Sequence, residues 1–144
     1  MKYIRHIGFL FLLVSTPAQK IEPEKILFVG NSFTFYFNLP LVVESMAEEK
    51  SIKLNVFQST AGGASLKDHW DGKKKLSTKS IIQKNSFSKI ILQDYSTNPV
   101  MKKTESMKYF KKFINLINKQ KAEIYLYGTW PVPMMEGKEF PGID

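Results

Sequence analysis

The chain has 144 residues and no cysteine, and its histidines number two, His6 and His69. Without a thiol there is no disulfide staple, no thiolate metal site and no cysteine nucleophile, and neither a metal nor a cofactor is expected. Acidic residues are sparse: 13 Asp and Glu face 21 Lys and Arg, a formal net charge of +8. Most of the excess is spread through amphipathic stretches (Lys102, Lys103, Lys111, Lys112, Lys119, Lys121), where a solvated helix face accounts for it. The compact run Lys73-Lys74-Lys75 is too short for a nucleic-acid patch, so no nucleic-acid partner is expected. A glycine-rich phosphate loop is lacking as well, which counts against a phosphate-binding domain built on the Gly30 turn.

Long apolar runs are also scarce. The stretch Ile7 to Val14, apolar apart from Gly8, is too short to span a bilayer as a stable helix. It follows the basic Met1-Lys2-Tyr3-Ile4-Arg5 and precedes the small residues Ser15-Thr16-Pro17-Ala18. That order is the signature of a secretory signal peptide cleaved near Ala18. Residues 1–18 are therefore expected to be the signal and 19–144 one domain, secreted or periplasmic, with no stable membrane span after cleavage.

The rest of the chain alternates strand and helix patterns. Ile26-Leu27-Phe28-Val29 is a continuous apolar run of the kind buried on both faces of a parallel sheet. From Leu39 to about Lys50, Leu39, Val42, Val43, Met46 and Ala47 recur at helical spacing, with Asn38 as N-cap and Pro40 in the first turn. A second strand is expected over 53–58, short helical pieces over 66–70 and 76–84, and a third strand over 88–93. A long amphipathic helix within 101–121 (Met107, Phe110, Phe113, Ile114, Ile117) and a fourth strand over 123–128 complete the order. This alternation predicts an α/β fold, a three-layer α/β/α sandwich around a parallel, flavodoxin-like sheet.

Ligands of such sheets bind outside the carboxyl ends of the strands, and polar residues collect there: Gly30-Asn31-Ser32, Gly62-Gly63, Gln93 to Ser96, and Thr129-Trp130. A serine between a buried strand and a helix can expose its Oγ beside backbone N–H groups that accept a developing negative charge. Gly30 is expected to let the chain turn tightly there. From the residues alone, the same segments also read as a plain loop leading into a helix and an ordinary turn.

Phe28-Val29-Gly30-Asn31-Ser32-Phe33-Thr34 resembles the first block of the SGNH (GDSL-like) serine hydrolases, with Gly-Asn-Ser in place of Gly-Asp-Ser. Ala61-Gly62-Gly63-Ala64-Ser65 resembles their second block, and Leu92-Gln93-Asp94-Tyr95-Ser96 a Gln-Gly-Glu-Ser variant of the third, seen in carbohydrate acetylesterases. The resemblance implies Ser32 as nucleophile and an oxyanion hole of Ser32, Gly63 and Gln93. Asn31, Ser96 and His69 are possible lining residues, and either Gln93 or Ser96 faces the substrate. It implies hydrolysis of an O-acyl ester, acetyl by preference, of a small molecule or glycan, through an acyl-serine intermediate. It also implies a histidine base in an Asp-x-x-His element after one more helix and strand, yet no histidine follows His69. The chain is therefore expected to be an N-terminal portion of such an enzyme, incomplete at the C-terminus and inactive by itself. For His69 a site-lining role and a packing or surface role both stay open. The alternative is a non-catalytic glycan-binding module with Trp70, Tyr95 and Trp130 as stacking surfaces.

Overall fold

The computed structural model describes residues 22–129. Four strands, β1 (Glu24–Gly30), β2 (Leu54–Thr60), β3 (Lys89–Leu92) and β4 (Glu123–Leu126), form one all-parallel sheet in the order β2-β1-β3-β4. Between them run α1 (Ser32–Phe35), α2 (Leu39–Glu49), α3 (Leu66–Asp71), α4 (Thr78–Lys84), α5 (Asn98–Met101) and α6 (Lys103–Ile117). The expected sandwich is observed: helices flank both faces of the sheet. β1 is central, and Ile26 through Val29 are buried, as a strand covered on both faces requires. The expected N-terminal signal and Trp130 lie outside the described residues. No helix among the described residues is long and apolar enough to cross a membrane.

Side chains alternate across the strands, so Leu27 and Val29 share one face with Ile90 and Leu92. On them pack Phe110, Phe113 and Ile117 of α6, Leu66 of α3 and Ile82 of α4. These residues make the main core. Trp70 lies edge-on to Phe113, ring centroids 5.2 Å apart, with Lys79 and Lys112 ammonium groups 5.1 and 5.0 Å from its ring centre. Trp70 is therefore a core-flanking residue whose ring is already occupied, not the free stacking surface expected of it.

The opposite face is more thinly covered. α1 and α2 pack against β1 and β2, and Glu44 Oε1 of α2 accepts the Val56 N–H of edge strand β2 at 3.2 Å. Leu41, Val42 and Met46 stay exposed, so the apolar positions of α2 are only partly used. Asn38 does not cap α2 through its side chain. It sits in the left-handed region (φ 58°), as does Phe37 before it (φ 53°), because the chain leaves a 3-10 turn at Tyr36–Asn38 before α2 begins. The long helix expected within 101–121 is present as α6, with the short α5 set off before it at Lys102 and a 3-10 turn after it at Asn118–Gln120.

Phe113 is fully buried at the centre of the main core, where truncation leaves a void that the sheet cannot collapse into. Phe113→Ala is expected to lower the unfolding free energy by about 3 to 5 kcal/mol, read from the midpoint of a urea titration with unchanged slope.

Candidate active site

The turn after β1 is held from three directions. Asn31 caps α1: its Oδ1 accepts the Phe33 N–H at 3.1 Å, a contact of the kind that contributes about 1 kcal/mol to a helix start. Its Nδ2 donates to the Ala64 carbonyl at 3.0 Å, and its own N–H donates to Gln93 Oε1 at 2.8 Å. Asn31 is consequently buried beneath the turn, with both ends of its side-chain amide engaged. Ser32, half-buried, opens α1 next to it. The bond to Ala64 draws the Ser32 turn against the loop that carries Gly63.

Gln93 follows β3 and extends its ladder, its N–H donating to the Val29 carbonyl at 2.8 Å. The side chain points under the turn. Oε1 accepts from Asn31 N–H and from Thr34 Oγ1 at 2.9 Å, while Nε2 donates to the Asp94 carbonyl. Gln93 is fully buried, and its amide is directed to Asn31, Thr34 and Asp94 beneath the turn rather than presented on the rim as expected. Its position explains Gly30. A Cβ on Gly30 would lie 2.2 Å from Thr34 Oγ1 and 2.4 Å from Gln93 Oε1. Gly30 has no positive φ, so its need for glycine comes from close approach rather than from the tight turn expected.

His69 is also fully buried. Its Nε2 donates to the Gly30 carbonyl at 2.9 Å, which fixes the tautomer and leaves Nδ1 to accept from Thr78 Oγ1 at 2.7 Å. Thr78 has one proton to give, so Ser59 Oγ donates to it at 2.8 Å. The chain Ser59, Thr78, His69, Gly30 ties α4 and α3 to the ends of β2 and β1. Burial holds the imidazole below its usual pKa, against the opposing bond to Gly30 and the nearby Asp68 and Asp94. Of the two roles open to His69, the structure gives it the packing one.

Gly63 and Tyr95 meet at the surface. Gly63 adopts a left-handed conformation (φ 60°), and the Tyr95 ring edge lies 4.0 Å from where its Cβ would stand. Gly63, Ser65, Tyr95, Thr97, Asn98 and Lys102 line most of an open, polar cavity of about 530 Å³. Tyr95 is 42% exposed there. Ser96 is half-buried and does not line that cavity. Ser65 and Asp68 close a capping box at the start of α3, and the buried Asp94 Oδ1 accepts the N–H groups of Leu66 at 2.8 Å and Tyr95 at 2.7 Å. Burial pushes the Asp68 carboxyl up, but hydrogen bonds from Ser65 and the charges of Lys73 and Lys74 outweigh it, and its pKa is lowered. Sequence reasoning missed Thr34, Thr78 and Asp94, which position the turn and loops. Among the described residues no cluster of three or more His, Cys, Asp or Glu is arranged to hold a metal ion.

Neither a family model nor a curated protein sequence matches the chain. Solved structures do. A protein of Slackia heliotrinireducens assigned to the SGNH hydrolases superposes with a TM-score of 0.65 at 22% identity, over 78% of this chain and 59% of its own. A DUF4886 family protein from Bacteroides uniformis gives 0.60 at 17% identity, over 76% of this chain and 51% of its own. TesA gives 0.60 at 10% identity, over 79% and 65% respectively. The chain thus has an SGNH-like fold and spans about six-tenths of the first of these structures and half of the second.

Two outcomes follow from the buried network. Gly30→Ala drives a methyl into Thr34 Oγ1 and Gln93 Oε1, and is expected to cost about 2 to 4 kcal/mol of stability in chemical denaturation, from overpacking and lost hydrogen bonds together. For His69 the folded pKa lies below the unfolded one, so the unfolded chain binds the extra proton. The stability this confers is complete above about pH 6.5 and is lost as pH falls through the folded value. His69→Gln should remove that component: the difference in melting temperature between pH 7.5 and pH 5.5, each about a unit from the unperturbed imidazole pKa, shrinks relative to wild type.

Proposed function

We propose that the chain carries the nucleophile half of a secreted ester hydrolase, with Ser32 as the attacking group and the N–H groups of Ser32 and Gly63 receiving the oxyanion. The observation that supports this most is the Asn31 clamp. It fixes the residue before Ser32 to the loops of two neighbouring strands, and such fixed donors beside a half-exposed hydroxyl are what acyl transfer needs. Gln93 acts on this reading as a positioning residue beneath the turn. Attack of Oγ on the acyl carbon forms the tetrahedral oxyanion; its collapse expels the alcohol and leaves an acyl-serine, which water hydrolyses. The favoured substrate is an O-acetyl ester, on carbohydrate by analogy with the acetylesterase-like third block and with export.

Serine attacks efficiently only if a base takes its proton. Both ring nitrogens of His69 are committed elsewhere, so on this reading His69 is not the base. An alternative reading, a glycan-binding module without turnover, draws on the half-exposed Tyr95 ring at the polar cavity.

The chain is expected to hydrolyse p-nitrophenyl acetate little faster than buffer does. Added imidazole should restore turnover to at least about tenfold above that of Ser32→Ala at the same imidazole concentration, since oxyanion donors keep much of their effect when the base is lost. Equal rates for wild type and Ser32→Ala with imidazole would refute Ser32 as nucleophile. Strong turnover without imidazole, abolished by His69→Gln, would make His69 the base.

A further inference from the structure

The segment after Ser32 is built in a way the proposed chemistry does not use. From Ile26 to Val43 no residue carries a charge, and within that stretch Phe35, Tyr36 and Phe37 are exposed, Phe37 to 95%. Their rings touch in series, with centroids 5.7 and 6.1 Å apart. Phe37 and Asn38 both occupy left-handed backbone, unfavourable for a bulky side chain such as phenylalanine. The backbone at Phe37 is thus strained while its ring gains almost no burial. Strain of this kind, at a ring that gains no burial, points to a contact made by this segment.

The position of the aromatic tip indicates what covers it. It rises from the carboxyl end of β1, and α1 packs against β1 and β2. The carboxyl end of β2, paired with β1 at Gly30 and Thr60, leads to Gly62, whose carbonyl accepts from Lys74 Nζ at 3.0 Å. Lys74, the middle of the exposed run Lys73-Lys74-Lys75, therefore reaches the same rim. A ring that is 95% exposed projects from the surface and suits insertion into a soft apolar medium better than docking into a preformed groove. Uncharged aromatics and a basic run at one end of a sheet are the elements of an interfacial anchor: the rings enter the headgroup boundary and the lysines meet anionic headgroups.

We propose that this rim docks on an anionic lipid surface, with Phe35, Tyr36 and Phe37 entering the interface and Lys73 to Lys75 contacting the headgroups. The contact is peripheral and independent of the ester-hydrolase reading. It would hold even if Ser32 proved inert.

The absence of cysteine permits a site-specific test in the full chain. Tyr36→Cys on the rim and Lys119→Cys, in the loop before β4 at the opposite end of the sheet, are each labelled with an NBD fluorophore. Phosphatidylcholine vesicles with phosphatidylglycerol should brighten and blue-shift the label at 36, and a nitroxide lipid should quench it, while the label at 119 is unchanged. Phe37→Asn, which suits the left-handed backbone, should weaken partitioning about tenfold, the scale of losing one inserted aromatic ring. Replacing Lys73, Lys74 and Lys75 by Ala should remove the preference over pure phosphatidylcholine. Because each label reports its own position, binding through the apolar N-terminal segment cannot imitate this pattern. Equal responses at 36 and 119, no response at 36, or indifference to Phe37→Asn would overturn the proposal. So would a shift at 36 that grows with protein concentration without vesicles, which would assign the tip to a second copy of the chain.

Discussion

One amide oxygen organises the candidate site. Oε1 of Gln93 receives the Asn31 N–H and the Thr34 hydroxyl, so the end of β1 and the start of α1 converge on an atom supplied by the neighbouring strand. A buried carbonyl of this kind must be satisfied, and so must the donors it serves, which makes each of the three groups dependent on the others. The space the oxygen occupies is the space a side chain on residue 30 would need. Glycine at 30, threonine at 34 and glutamine at 93 are thus one solution to one packing problem.

The histidine network does similar work one layer deeper. Its hydrogen bonds run in a single direction, from the Ser59 hydroxyl through Thr78 and His69 to the Gly30 carbonyl, because a carbonyl can only accept. That direction needs a neutral imidazole. Protonation would force Nδ1 to donate as well, reverse the hydroxyls and place a charge where water does not reach, a change that burial strongly opposes.

Much of the architecture is legible in the sequence, because strands buried on both faces write themselves as unbroken apolar runs. Ile26 to Val29 is such a run, Ile90 to Leu92 is a shorter one with Ile91 half-buried, and α6 shows its buried stripe at Phe110, Phe113 and Ile117. The Ser32 turn is legible through its motif and its place after a strand. Other features depend on contacts between distant segments. The four residues of α1 are too few for a helical period, and the left-handed Phe37 contradicts its own propensity. Gln93 carries the polarity of a rim residue, yet the missing Cβ at Gly30 lets it turn inward. His69 looks like a functional imidazole until Thr78 and Gly30 are found on its two nitrogens. Trp70 looks like a stacking surface until Phe113 and two lysines are found around it.

The two margins of the sheet are not equivalent. Along β2, the carboxylate of Glu44 occupies a backbone donor that a newcomer would need, and α2 lies beside it. Along β4, Tyr125 and Leu126 remain exposed. A strand brought up along β2 would compete with Glu44 for the Val56 N–H. Among the described residues the two flanks thus differ in how ready they are to accept another strand, and a carboxylate on α2 is one cause of the difference.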